Sequence, residues 1–195
     1  MKQNYKIGAL GIVLIVLTSI ALKAQNLPEF GVRVGINSAT ITNLEGTDRK
    51  TGLLAGFYIE FDIPESQSSV QPELIYVQYG GKDANSDASQ LFSYLQIPVL
   101  LKIGFGNEEV KPNMFFGPYL GFSVKSEFDN GSGGTIDLVG AVNDIDYGMV
   151  LGAGVDGDKF QLSLRYTAGL NNIYDESIED GEKNSAIALV FGIAF

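Results

Sequence analysis

The sequence predicts an all-β fold, an eight-stranded antiparallel up-and-down transmembrane β-barrel, on three observations. Residues 185–195 read S-A-I-A-L-V-F-G-I-A-F, with Ile187, Leu189, Phe191, Ile193 and Phe195 on one parity and small residues on the other. Successive side chains of a strand point to opposite faces, so one face here is bulky and apolar. Eight such alternating segments succeed one another along the chain, and none carries a helical period. The connections between them alternate short and long, as in a barrel with tight turns at one mouth and extended loops at the other.

The segments are residues 29–38, 52–62, 70–79, 91–105, 114–125, 145–155, 159–169 and 185–195. Tilted strands of about ten residues suit an apolar layer of about 25 Å. Short connections run over 63–69 and 106–113, and Asp156-Gly157-Asp158 is a tight turn. The stretches 39–51, 80–90, 126–144 and 170–184 are longer, rich in Gly, Asn, Ser and Asp, and read as mobile loops.

Parity assigns the faces. On the first strand Phe30, Val32, Val34 and Ile36 oppose Arg33 and Asn37; on the second, Leu53, Ala55, Phe57, Ile59 and Phe61 oppose Tyr58 and Glu60. The fourth sets Leu95, Ile97, Val99, Leu101 and Ile103 against Tyr94, Gln96 and Lys102. The seventh sets Phe160, Leu162, Leu164 and Tyr166 against Gln161, Ser163 and Arg165. The third is apolar on both parities past Glu73, so its facing stays open. Alternation alone does not say which face is outside, because a soluble lipocalin-type barrel would turn the apolar parity inward. Aromatic placement favours the membrane. Phe30, Phe61, Phe105, Phe116, Phe160 and Phe195 gather toward the short-turn ends of the apolar parity, and Phe122, Tyr147 and Tyr166 lie toward the long-loop ends. Two aromatic bands on an outer face match two membrane interfaces.

The chain has 195 residues, one domain by length, with no cysteine and no histidine and a net charge of −10. No disulfide framework and no thiolate metal site can form. The acidic balance excludes nucleic acid as a partner, since phosphate binding needs a basic face. Residues 1–24 read as a removed signal peptide: Lys2 and Lys6 precede an apolar run, and Ala21 and Ala24 offer cleavage points. A retained single-span anchor is the alternative, and the run is short for it. Residues 25–195 are then the barrel.

The chain resembles the PorT-type outer-membrane β-barrel family of Bacteroidetes, small barrels of the OmpX/OmpA-like kind. The resemblance rests on S-Y-L-Q-I-P-V-L-L-K at 93–102, G-P-Y-L-G at 117–121 and the apolar closing strand. It covers nearly all of the mature part and implies a cell outer-membrane location more than an activity. One branch of that family contributes to a secretion apparatus. The closing strand also resembles those of bacterial outer-membrane barrels, which implies that Phe195 forms part of a signal read by the barrel-assembly machinery.

Candidate chemistry is sparse. Without histidine, Ser-His-Asp and Asp-His hydrolysis are excluded, and no enzyme motif stands out. Asp175, Glu176, Glu179, Asp180 and Glu182 crowd one loop, and Asp129, Asp137, Asp144 and Asp146 another. Such oxygen clusters can hold calcium, but the EF-hand spacing is absent and a solvated surface explains them better. Asn130-Gly131-Ser132 fits a glycosylation pattern that is common by chance, and Gly104-Phe105-Gly106 lacks the setting of a nucleotide loop. No cofactor is expected.

The charged residues of the inner parity are the sharper candidates. Arg33, Glu60, Glu73 and Lys102 come from four consecutive strands, toward the short-turn ends, with Arg165 higher on the seventh. Opposite charges there can bridge across the lumen floor, with Lys102 and Glu73 the pair expected to couple. The function expected is a structural or loop-mediated interaction role, accessory to secretion or surface assembly. Outer-membrane lipid, the assembly machinery and a protein at the extracellular loops are the expected partners. A secreted barrel binding an apolar ligand, or a narrow passive pore, are the alternatives.

Overall fold

The computed structural model describes residues 27–42, 47–83, 88–106, 109–130, 134–137, 143–173 and 181–195. The signal segment 1–24, Ser132 and the acidic run 175–180 lie outside the described residues. The strands are β1 (Glu29–Thr42), β2 (Thr47–Asp62), β3 (Ser68–Asp83), β4 (Ser89–Gly104), β5 (Lys111–Asp129), β6 (Thr135–Asp137), β7 (Ile145–Asp156), β8 (Phe160–Gly169) and β9 (Lys183–Ala194).

Eight of them close an antiparallel ring in the order β1-β2-β3-β4-β5-β7-β8-β9, and β9 returns to β1. The short β6 hangs on β5 outside the ring. Closure fixes the register through β1: Val34 pairs with Ala55 on one side and with Phe191 on the other. A closed wall satisfies every strand through its neighbours and leaves no edge, which is what a bilayer core demands of β-structure.

The apolar parity faces outward. Val34, Ile36, Leu53, Phe57, Leu164, Leu189 and Phe191 are exposed on the wall. A soluble ligand-binding barrel would bury that parity, so the lipocalin alternative is set aside. Phe30, Phe105, Phe116, Phe160 and Phe195 stand exposed at the short-turn end, and Tyr147 and Tyr166 toward the other. The open facing of β3 resolves with Leu74 and Tyr76 outward and Gln71, Glu73, Ile75, Val77 and Tyr79 inward. Past Glu73 its inner parity is apolar because that part of the lumen is packed rather than wet.

The strands run further than expected at the long-loop end. Most of 39–51 and 80–90 is strand, and β5 continues to Asp129. Outside the bilayer the outward parity meets water, so hydrophobic alternation fades there while the backbone ladder continues. At about 3.3 Å per residue a 16-residue strand is roughly 50 Å long, well beyond an apolar band of about 25 Å even when tilted. Bulges mark this region, one between Arg49 and Leu54 of β2 and one where β5 inserts an extra residue opposite Ser93 and Tyr94. The 170–184 connection is also tied down over its described part. Ile173 folds onto the apolar lumen beside Ile41, Phe92 and Ala186, its amide donating to Glu182 O at 2.8 Å.

Candidate functional site: the charged lumen floor

The inner parity of β1, β2, β3, β4, β7 and β8 delivers its charged side chains to two adjacent levels near the short-turn mouth. Strand tilt sets those levels. Arg33, four residues into β1, Glu73, five into β3, and Arg165, five into β8, therefore meet on one carboxylate. Arg165 is not higher than the others, as residue counting suggested.

Glu73 is the centre. Arg165 grips it bidentately, Nη1 donating to Oε2 at 2.9 Å and Nη2 to Oε1 at 3.2 Å. Arg33 donates from Nη1 to Oε1, and Gln71 adds Nε2 to Oε1 at 2.7 Å. The Glu73 side chain is 0% exposed, and those of Arg33 and Arg165 4% and 2%. Fork-shaped guanidinium–carboxylate pairs are among the strongest polar contacts a protein makes.

Lys102 belongs to the next layer toward the mouth. Its Nζ lies 2.9 Å from Glu60 Oε2 and 2.6 Å from Asp156 Oδ2. The expected partnership of Lys102 with Glu73 is corrected: the two have no direct contact, and Gln71 stands between them, its Oε1 3.4 Å from Lys102 Nζ. A side chain on β4 reaches the nearer carboxylates of β2 and β7 before it reaches the deeper one of β3. Gln161 makes the second link, accepting from Arg33 Nη2 at 2.7 Å and donating to Glu60 Oε2 at 2.9 Å. Arg165, Glu73, Arg33, Gln161, Glu60, Lys102 and Asp156 thus form one connected chain of contacts. Three cations face three carboxylates within it.

Two aromatic rings line the arginines. The Arg33 guanidinium lies 4.5 Å from the Tyr58 ring centroid, and that of Arg165 5.7 Å from Phe115. Room for each ring comes from a glycine on the neighbouring strand. A Cβ on Gly31 would sit 2.3 Å from Tyr58 Cε1, and one on Gly152 would sit 2.4 Å from Phe115 Cζ. Among the described residues both arginine Nε groups lack hydrogen-bond partners. Stacking a weakly hydrated guanidinium on a ring is one way to bury it.

Beyond this floor, Tyr119 donates to Asp146 Oδ2 at 3.0 Å and Asn184 Nδ2 to the same oxygen at 3.3 Å. Leu54, Ile75, Val77, Phe92 and Val190 fill the outer half with Ile173. Sequence reasoning missed Gln71, Gln161, Asp156 and Tyr58 as floor residues. The parity that singled out Arg33 and Lys102 covers the glutamines too; Asp156 was hidden because a D-G-D run reads as a turn. Among the described residues no group of three or more acidic side chains is placed to hold a metal ion.

Comparison with known proteins agrees with this architecture. The model of the outer membrane protein beta-barrel domain family matches residues 23–175. Among solved structures, Neisserial surface protein A superposes with a TM-score of 0.52 at 13% identity, covering 87% of this chain and 100% of that one. Ail, the attachment invasion locus protein of Yersinia pestis, gives 0.47 at 16% identity over 87% and 100%. The outer membrane enzyme PagL gives 0.48 at 11% identity over 84% and 98%. At such identities the likeness to Neisserial surface protein A concerns fold alone. No curated protein matches the chain. With a closed eight-stranded ring, an apolar outer wall and that family match, the chain belongs to the outer membrane protein beta-barrel domain family and resides in the outer membrane.

Proposed function

We propose that this barrel is a non-catalytic structural and interaction protein, acting through its extracellular end as an accessory of surface assembly or secretion. The observation that carries the reading is the filled lumen. Above the short-turn mouth, the charged floor, the Tyr119–Asp146–Asn184 contacts and an apolar cluster that includes Ile173 occupy it over the described residues. That leaves little use for the interior as a pore. The surface is what remains to act with, and β1 to β5 extend past the membrane as paired strands carrying Arg49, Lys50, Lys82, Lys125 and Glu127. Absence of histidine removes the commonest general base.

Phe195 is proposed as the residue the barrel-assembly machinery reads. It is 82% exposed at the periplasmic rim, with its amide bonded to Phe30 O at 2.9 Å. The reading is tested with photo-crosslinking side chains in living cells, one set at Lys50, Lys82 and Glu127 and another at Val99 and Leu162. Discrete protein adducts from the outer set alone are expected. Equal yields from both sets, or solute uptake that depends on the protein, would contradict it.

A further inference from the structure

Three prolines lie on a diagonal across the wall, Pro72 on β3, Pro98 on β4 and Pro118 on β5, with Pro72 opposite Val99 and Pro98 opposite Tyr119. Pro98 and Pro118 belong to the two runs singled out in the sequence, 93–102 and 117–121. Proline has no N–H to give a ladder, so within a sheet it is confined to edges and bulges. Here all three sit inside a closed ring, and strand pairing lapses beside each. It skips Ile59 and Glu60 between β2 and β3, Glu73 and Leu74 between β3 and β4, and Val99 and Leu100 between β4 and β5. In that register the carbonyls of Ile59, Glu73 and Val99 face Pro72, Pro98 and Pro118, and so lose the ladder donor another residue would supply. By contrast, β1 pairs with β2 from Glu29 to Ala39 and with β9 from Gly31 to Thr42 without a break.

Side chains step over the same seams from inside the lumen. Ser69 Oγ of β3 donates to Glu60 Oε1 of β2 at 2.5 Å, and Lys102 Nζ of β4 donates to Gln71 Oε1 of β3 at 3.4 Å. Lys102 also reaches Glu60 and Asp156, spanning β3 on one side and β5 on the other. Glu73, next to Pro72 and level with Pro98, is held across the lumen by Arg33 of β1 and Arg165 of β8. We propose that the wall from β2 to β5 is a latent lateral opening, weakened by the proline diagonal and latched from within by the charged floor at Glu73. A bilayer core offers no water to replace a missing ladder bond, so a wall short of donors at one level opens there first. The seam stays shut while both arginines hold the carboxylate and parts when that grip is lost.

The test is hydrogen–deuterium exchange read by mass spectrometry on the folded barrel in micelles. Residues 73–76, 97–101 and 115–117 are compared with residues 31–36 and 188–193 of the unbroken β1–β9 seam. The proline-lined segments should exchange about tenfold faster or more in the unmodified protein. Pro118→Ala, at an outward-facing position, gives Val99 O a donor without leaving a cavity in the lumen, and should slow exchange in 97–101 and 115–117. Glu73→Gln should speed exchange in 73–76 and 97–101 well beyond any change in 31–36. Should that variant not fold, Gln71→Ala loosens the same carboxylate without stranding a charge and carries the same expectation. Equal protection of all segments in the unmodified protein, no slowing in Pro118→Ala, or a uniform rise in exchange from the latch variant would overturn the lateral opening.

Discussion

Glu73 carries both buried arginines of the lumen on one carboxylate, Arg165 as a bidentate fork at 2.9 and 3.2 Å and Arg33 through Nη1. Among the described residues neither arginine has another carboxylate in hydrogen-bond contact. Glu73→Gln keeps the shape but leaves two buried cations facing each other, and truncating one partner of such a group costs about 3–5 kcal/mol. Adding Arg165→Met to Glu73→Gln removes one of the stranded charges and should recover part of the loss. Urea unfolding of the folded barrel in micelles reads both effects.

The Lys102 layer makes a separate claim about coupling. Lys102→Met strands Glu60 and Asp156, so Lys102→Met and Asp156→Asn should be non-additive by about 0.5–3 kcal/mol. Lys102→Met combined with Glu73→Gln should lie closer to additivity, because Gln71 intervenes. A larger coupling to Glu73 than to Asp156 would mean that the layers are arranged differently.

Gly31 is the floor beneath the Tyr58 ring. Gly31→Ala forces the ring off its seat and should cost about 1–3 kcal/mol, as overpacking does. Replacing Tyr58 by Leu in that background should relieve the clash. If Gly31→Ala were as stable as the parent, the ring would not lie against β1.

The wall is tested at Val99, whose side chain faces outward from mid-β4. Val99→Arg should cost about 2–4 kcal/mol in a bilayer, whereas Pro64→Arg in the exposed β2–β3 turn should cost little. Because every strand is paired around the ring, the folded protein should also migrate differently on a denaturing gel before and after boiling.

The wall was legible in the sequence because a bilayer imposes one rule on alternate residues, and Val34, Leu53 and Leu164 obey it residue by residue. The lumen obeys no such rule. Ile75 and Val77 point inward as apolar residues while Arg33 and Arg165 point inward as charges, so inner parity does not announce its polarity. Parity places Lys102 inside but not beside Asp156, since that contact depends on tilt and on pairing through β5 rather than on sequence distance. The outer reach of β2 and β3 was hidden for another reason: strand pairing there continues where hydrophobic alternation stops. Ile173 was lost in a run that composition marks as loop, although a lone bulky aliphatic among Asn and Asp residues is the kind that finds a core.

The account's central claim is a barrel closed by its own side chains, and planar-bilayer recording tests it most directly. The unmodified protein should show no steady conductance, while Glu73, Arg33 and Arg165 replaced together by Ala should admit measurable ion flow if the variant still folds by the gel-shift criterion. A large, steady conductance from the unmodified protein would contradict the closed lumen.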